Sequence, residues 1–215
     1  TVELKAERLI GRNLLRAAVS EGGKYSNIQD VVFVDGKPVS NNDKFSWYDG
    51  VIYSLMIDRF SNGNKTNDKP IVQDSLFKKA NYMGGDFQGV INKLNEGYFD
   101  SLGVNIIWIS PVYDNPDSAY RESPAPHRWF TGYHGYWPIS STRVEEHFGT
   151  MKKLKELVNT AHKHKIKILL DFVSHHVFKT HPYVTEHPDW FGKLRLPDGT
   201  LNLRRWDDHR LTTWF

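Results

Sequence analysis

Ile166-Lys-Ile-Leu-Leu-Asp171-Phe-Val-Ser-His175-His176 decides how the chain is read: an apolar run, then a carboxylate, then two imidazoles. A parallel strand covered on both faces is near-continuously hydrophobic. At the C-terminal end of such a strand in a (β/α)8 barrel, polar side chains point into the active-site mouth. The stretch therefore has the form of a barrel strand that delivers Asp171 and His176 to a site.

Two stretches upstream share that form. Val51-Ile-Tyr-Ser-Leu-Met-Ile57 runs into Asp58-Arg59-Phe60, and Val104-Asn-Ile-Ile-Trp-Ile-Ser110 is closed by Pro111. Between them Val90, Ile91, Leu94, Tyr98 and Leu102 recur at helical spacing, and Gly103 ends the helix. Thr150 caps a second helix that carries Met151, Leu154, Leu157, Val158 and Ala161 inward. Long loops follow the strands. One runs from Val112 to Pro138 and holds Trp129-Phe-Thr-Gly-Tyr133-His134-Gly135-Tyr136-Trp137. This alternation implies α/β architecture with parallel pairing and right-handed crossovers. A doubly wound sheet is the alternative, and a glycine-rich phosphate loop directly after a strand would favour it. Gly84-Gly85-Asp86-Phe87-Gln88-Gly89 has neither the G-x-G-x-x-G spacing nor that position.

The 215 residues are 39% hydrophobic and 25% charged, an ordinary globular composition with material for a sizeable core. The net charge of +3 comes without a basic block, so nothing points to nucleic acid. The absence of cysteine excludes disulfides, thiolate metal sites and a Cys nucleophile, and leaves the compartment open. No apolar run reaches the roughly eighteen residues of a membrane helix. The 7 Trp, 10 Tyr and 12 Phe suit sugar binding, because pyranose C–H faces pack on rings; a large aromatic core explains them equally. The start, Thr-Val-Glu-Leu, is neither a Met start nor a signal peptide, so the chain is expected to be cut from something longer.

Residues 1–46 carry no evident chemistry. Leu9, Ile10, Leu14, Leu15 and Ala18 suggest a helical face that Gly11 weakens, while Val31-Val-Phe-Val34 before Asp35-Gly36 reads as a strand and hairpin turn. The segment is either an N-terminal extension or the tail of an upstream β-domain. Further on, Ser61-Asn62-Gly63-Asn64-Lys65-Thr66-Asn67-Asp68 concentrates amide and carboxylate oxygens around a glycine. A hard cation such as Ca²⁺ is wrapped by such a loop, and a plain Asx-rich turn has the same composition.

Four segments in order now resemble the α-amylase family of glycoside hydrolases, in particular its cyclodextrin glucanotransferase-like and bacterial amylase branches. They are Ile52-Tyr-Ser-Leu-Met-Ile-Asp58-Arg59-Phe60-Ser61-Asn62-Gly63, Gly84-Gly85-Asp86-Phe87-Gln88-Gly89, Tyr133-His134-Gly135-Tyr136-Trp137 and Asp171-Phe-Val-Ser-His175-His176. The resemblance implies the first three β/α units of a TIM (β/α)8 barrel over residues 47–176, and the start of the inserted domain after the third strand over 177–215. It implies one structural calcium held by Asn62, Asn64, Asn67, Asp68, the Gly84 carbonyl and Asp86, an oxygen-only set that suits Ca²⁺. It also implies a sugar subsite: Tyr136 stacks on the pyranose, His134 and His176 hydrogen-bond its hydroxyls, and Asp171 braces the polar network. His175 stands where the family usually has an Asn that helps bind a second calcium, and imidazole is a poorer ligand for a hard cation. His175, His176, His181 and His187 lack the compact spacing of a zinc site.

Retaining glycosidases break the bond with two carboxyl groups, a nucleophile and an acid/base. The family carries the nucleophile in a G-x-R-x-D motif, and no such motif follows Asp171. His187-Pro-Asp-Trp190-Phe191, Pro197-Asp198-Gly199 and Trp206-Asp207-Asp208-His209 instead resemble the inserted domain. A full barrel takes about 250 residues. The expectation is an incomplete barrel, inactive alone, whose third strand presents an unpaired edge and an exposed apolar face, with the remaining barrel as its partner. The resemblance implies a parent that hydrolyses or transfers α-1,4-glucans such as starch. The alternative is a non-catalytic α-amylase-like protein that keeps the barrel for sugar binding or as a scaffold.

Overall fold

The structure, a computed structural model, describes residues 10–26, 29–38, 45, 47–122, 125–193, 195–200, 202 and 212–214. The chain divides into two units, Thr1–Val51 and Ile52–Phe215. In the first, β1 (Arg12–Ala17) is followed by a small hairpin of β2 (Ser20–Glu21) and β3 (Lys24–Tyr25), then β4 (Gln29–Val34) and β5 (Lys37–Pro38). β1 pairs antiparallel with β4, Arg12 opposite Val34 and Ala17 opposite Gln29, and β5 pairs with the other side of β4. The strand and turn expected at 31–36 are present, with Asp35 and Gly36 both at positive φ, 50° and 76°, as a type I′ turn requires. The helical face expected from Ile10, Leu14, Leu15 and Ala18 is absent, and Leu9 lies outside the described residues. Residues 12–16 alternate in burial with period two, because ladder pairing with β4 overrides a chance helical spacing.

The second unit runs β6 (Ile52–Leu55), α1 (Ile57–Phe60), α2 (Phe87–Asn95), α3 (Tyr98–Ser101), β7 (Ile106–Ile109), β8 (Tyr120–Arg121), β9 (Trp129–Phe130), α4 (Met151–Lys163), β10 (Lys167–Leu170), β11 (His176–Phe178), α5 (Tyr183–Glu186) and β12 (Thr212–Trp214). The three expected strands form one parallel sheet in the order β10-β7-β6, with Ile106 opposite both Ile52 and Lys167. β8 and β9 form a hairpin within the aromatic loop, and β11 pairs parallel with β12. Among the described residues no helix is long and apolar enough to cross a membrane.

One sheet face, with Leu55, Ile107, Ile109 and Ile168, joins Val90, Ile91 and Leu94 of α2 and Leu154, Leu157 and Ala161 of α4 in the core. The other face carries Ile52 and Trp108, 53% and 44% exposed. Among the described residues β10 lies at the edge of the sheet beside β7, and Leu170 is half exposed, the open edge and apolar face expected of an incomplete barrel.

The first helix is not continuous. Gly97 adopts φ +73° and resets its phase, so Phe99 takes the buried slot while Tyr98 and Leu102, expected inward, are 36% and 47% exposed. Thr150 caps α4 by accepting from the Lys153 N–H. Met151, also expected inward, is 44% exposed. At the first helical position its side chain leans back over the cap rather than over the sheet.

Candidate functional site

The four residues assigned to a sugar subsite meet at the C-terminal end of β10. Tyr136 Oη donates to Asp171 Oδ2 at 2.6 Å. The Tyr136 N–H donates to His134 Nδ1 at 2.9 Å, so that nitrogen is unprotonated and the ring carries its proton on Nε2. Burial first, then the neighbouring His176 and Arg59, hold His134 down to about 4, so the ring is neutral at neutral pH. Burial first, then Asp171, pushes the Tyr136 hydroxyl up to about 12, so it stays a donor. Tyr136 remains 39% exposed, and its ring leans on His134 at 5.8 Å between centroids.

His176 is placed differently from its expected role. It is 6% exposed, and its Nε2 lies 2.8 Å from the Tyr136 carbonyl, which can only accept. Nε2 therefore donates, which leaves Nδ1 to accept from His175 Nδ1 at 3.2 Å. This geometry holds the Tyr136 backbone in place. Arg59, from α1, lies 3.9 Å over the Tyr133 ring and bonds the Lys79 carbonyl, bracing the same aromatic segment from behind.

The loop after β6 and the glycine-rich segment interlock by backbone. The Gly85 N–H donates to Asp58 O and the Asp86 N–H to Ser61 O. A Cβ on Gly89 would lie 1.9 Å from the Ser61 carbonyl oxygen, so only glycine permits this approach. Asp86 is fully buried and accepts from the N–H groups of Gly63, Asn64 and Gly89, the last as the N-cap of α2. Asn64 Oδ1 is engaged by Thr66 N and Oγ1, the Asx turn that was the alternative for this loop. Asn62 Nδ2 donates to both oxygens of Asp68, and a Cβ on Gly84 would meet Asn62 and Asp68 at 2.5 Å. Of the six assigned residues, Asn62, Asp68 and Gly84 are thus in contact. Asn67 lines a cavity of about 260 Å³ with Asp68, Gly84, Tyr82 and His147, while Asn64 and Asp86 are occupied with backbone N–H groups.

A buried network beside this loop escaped the sequence reading. Glu145 is fully buried; Oε1 accepts from His147 Nδ1 at 2.6 Å, and Oε2 from the Asn115 N–H at 3.0 Å and Tyr82 Oη at 3.2 Å. His147 Nε2 faces the Lys69 carbonyl at 2.9 Å, so both ring nitrogens donate and the ring is an imidazolium. Burial opposes that charge, but the hydrogen bond and charge of Glu145 outweigh it and raise the His147 pKa. The imidazolium stacks on the Tyr82 ring at 3.8 Å. In sequence, Val144-Glu-Glu-His147 before a helix cap reads as a solvated polar stretch, and no spacing in it signals burial.

The family model of the alpha-amylase catalytic domain matches residues 53–195. The chain belongs to the alpha-amylase family. A cyclomaltodextrin glucanotransferase from Bacillus sp. (strain 38-2) is 38% identical over 162 residues, which is 74% of this chain and 22% of that protein. Another from Geobacillus stearothermophilus is 33% identical over 177 residues, 81% of this chain and 24% of that protein. The crystal structure of an Anoxybacillus alpha-amylase aligns with a TM-score of 0.61 at 35% identity, covering 80% of this chain and 33% of that one. The Geobacillus thermoleovorans alpha-amylase GTA, complexed with acarbose, aligns at 0.55 and 31%, with the same shares. The chain thus spans under a quarter of these curated relatives and a third of these solved ones.

Sheet order alone suits a doubly wound fold as well as a barrel. The alpha-amylase catalytic domain implies the TIM barrel, of which the three-stranded parallel sheet is an open part. The loop of this alpha-amylase chain also fits a hard cation. Its polar side chains offer oxygens, and Asn67 Oδ1 is buried with no hydrogen-bond partner among the described residues. Asp86 accepts from the Gly63 N–H on both oxygens, from Asn64 on Oδ2 and from Gly89 on Oδ1. No group of three or more His, Cys, Asp or Glu able to hold a metal occurs among the described residues, which gives the histidines near His175 no zinc geometry.

Proposed function

We infer that this chain forms the first three β/α units of a retaining glycoside hydrolase or transglycosylase acting on α-1,4-glucans. Its part is to build a sugar subsite and a calcium-stabilised loop. The observation that carries this is the convergence of Tyr136, His134 and Asp171 at one strand end, in a chain of the alpha-amylase family. The names of its relatives, amylases and cyclomaltodextrin glucanotransferases, support the glucan class.

The side chains have separable tasks. The exposed part of the Tyr136 ring offers an apolar surface to pyranose C–H groups. Asp171 fixes that ring through its hydroxyl, and His176 fixes it through its carbonyl. Neutral His134 carries its proton on Nε2, a donor for a sugar hydroxyl, because its Nδ1 accepts from the Tyr136 N–H. Bond cleavage needs a carboxylate nucleophile and an acid/base, and the family's nucleophile motif is not among these 215 residues. The subsite therefore binds and orients, and the chain alone does not turn glucans over. Asn62, Asn67, Asp68, the Gly84 carbonyl and Asp86 would hold Ca²⁺, with Asn64 shaping the loop; the ion ties the loop after β6 to the start of α2.

Calorimetry with a maltooligosaccharide tests the subsite. Tyr136→Ala is expected to weaken binding at least about tenfold, a stacking loss of roughly 1.4 kcal/mol; equal binding by variant and parent would sink the subsite. Starch turnover by the purified chain would overturn its non-catalytic part. A thermal melt with and without chelator tests the ion, and an unchanged midpoint would count against it.

A further inference from the structure

His147 grips the loop after β6 at two points. Its Nε2–H donates to Lys69 O at 2.9 Å, and its own carbonyl accepts from Asn67 Nδ2 at 2.8 Å. A carbonyl only accepts, so the nitrogen end of the Asn67 amide must face it. The oxygen end is thereby turned away from His147. That oxygen, Asn67 Oδ1, is buried and has no hydrogen-bond partner among the described residues. Asn67 lines the same cavity as Asp68 and Gly84. A buried amide oxygen left without a donor calls for an explanation, and a cation supplies one.

Glu145 makes this grip rigid. Its Oε1 holds His147 by both its N–H, at 3.2 Å, and its Nδ1, at 2.6 Å, while Oε2 is fixed by Asn115 and Tyr82. The same segment reaches the other side of the loop site, since the Phe87 N–H, next to Asp86, donates to Phe148 O at 2.9 Å.

We propose that Glu145 and His147 are positioning residues for the cation site: they orient the Asn67 amide so that its oxygen is a ligand, and thereby set the affinity for Ca²⁺. The proposal rests on the calcium reading above and adds residues outside the assigned ligand set. Removing such outer partners lowers metal affinity about 10–100-fold.

The test is Ca²⁺ calorimetry on the full 215-residue chain and three variants, with folding followed by circular dichroism. Glu145→Gln sets an amide nitrogen against donors from its neighbours and is expected to weaken binding about 10–100-fold. Asn67→Asp is the sharper variant. Added ligand charge ordinarily tightens a calcium site. Here the new carboxylate would face the His147 carbonyl, so Asn67→Asp is expected to weaken binding about tenfold or more, by the same loss of outer-shell orientation. In the Glu145→Gln background, with the grip released, the same substitution is expected to tighten binding. A merely structural role for Glu145 predicts one sign in both backgrounds, and that result overturns the proposal. Tight binding by Asn67→Asp alone also overturns it, and this arm stands even if Glu145→Gln does not fold. Ca²⁺ binding by the parent chain that Glu145→Gln leaves unchanged sinks the positioning role and spares the calcium site. No binding by the parent chain sinks both.

Discussion

The strand-end cluster around Tyr136 and the network around Glu145 are both built from carboxylate, imidazole and phenol, yet they do opposite things with them. In the first, Asp171 meets a Tyr hydroxyl, the histidine is neutral, and the ring stays 39% exposed with an Nε2–H beside it. In the second, Glu145 is fully buried and each oxygen is engaged by the protein, the histidine is charged, and the phenol donates inward. One arrangement leaves part of the Tyr136 ring open to solvent. The other leaves one buried oxygen, Asn67 Oδ1, without a hydrogen-bond partner among the described residues. The same residue types become a partly exposed cluster or an internal clamp according to how many of their hydrogen-bond sites the fold already fills.

The contrast can be broken most forcibly at Glu145. Glu145→Ala leaves a buried imidazolium, a Tyr hydroxyl and the backbone N–H groups of Asn115 and His147 without their acceptor, so denaturant unfolding is expected to show a loss of about 3–5 kcal/mol. A loss below about 1 kcal/mol would mean that the network is no clamp.

Acid tests the other cluster. The unfolded imidazole protonates near 6.5, whereas His134 in the fold does so only at about 4. The unfolded chain binds the extra proton between those values, so this contribution is complete above about pH 6.5 and is lost as pH falls toward 4. Its size is on the order of 3 kcal/mol. Unfolding at pH 7 and pH 4 should show a smaller acid loss in His134→Asn than in the parent chain; equal losses would remove His134 from the account.

Gly89→Ala probes the interlock that carries the loop network. Its methyl must displace the Ser61 carbonyl, at an expected cost of about 1–3 kcal/mol in a melt. The smallest effect is expected at the strand end. Tyr136→Phe loses one partly exposed hydrogen bond to Asp171, roughly 1 kcal/mol of stability, while its ring keeps most of the glucan affinity. A collapse of affinity in Tyr136→Phe would shift the recognition role from the ring to its hydroxyl.

Much of this was readable in the chain itself. Apolar runs at 51–57, 104–110 and 166–173 announced three parallel strands, and Thr150 announced its helix. Periodicity does not give the helix phase after Gly97, because a left-handed glycine shifts which residues face the core, and Phe99 rather than Tyr98 is buried. Residues 12–17 form a strand rather than the helical face their spacing suggests, because their ladder partner lies in another segment. His134, Tyr136, Asp171 and His176 were found through motifs, but motifs did not reveal that His176 Nε2 lies against a carbonyl.

Local pattern was enough for strands, caps and the aromatic segment, since periodicity and capping act between residues a few positions apart. Only the folded chain showed which polar groups are buried and how they are charged. Glu145 meets Tyr82 across 63 residues, and Asn67 meets the His147 carbonyl across 80. Desolvation and hydrogen-bond satisfaction are properties of that packed neighbourhood. A glutamate and a histidine that look like surface residues in the sequence therefore become a buried ion pair holding an amide in place.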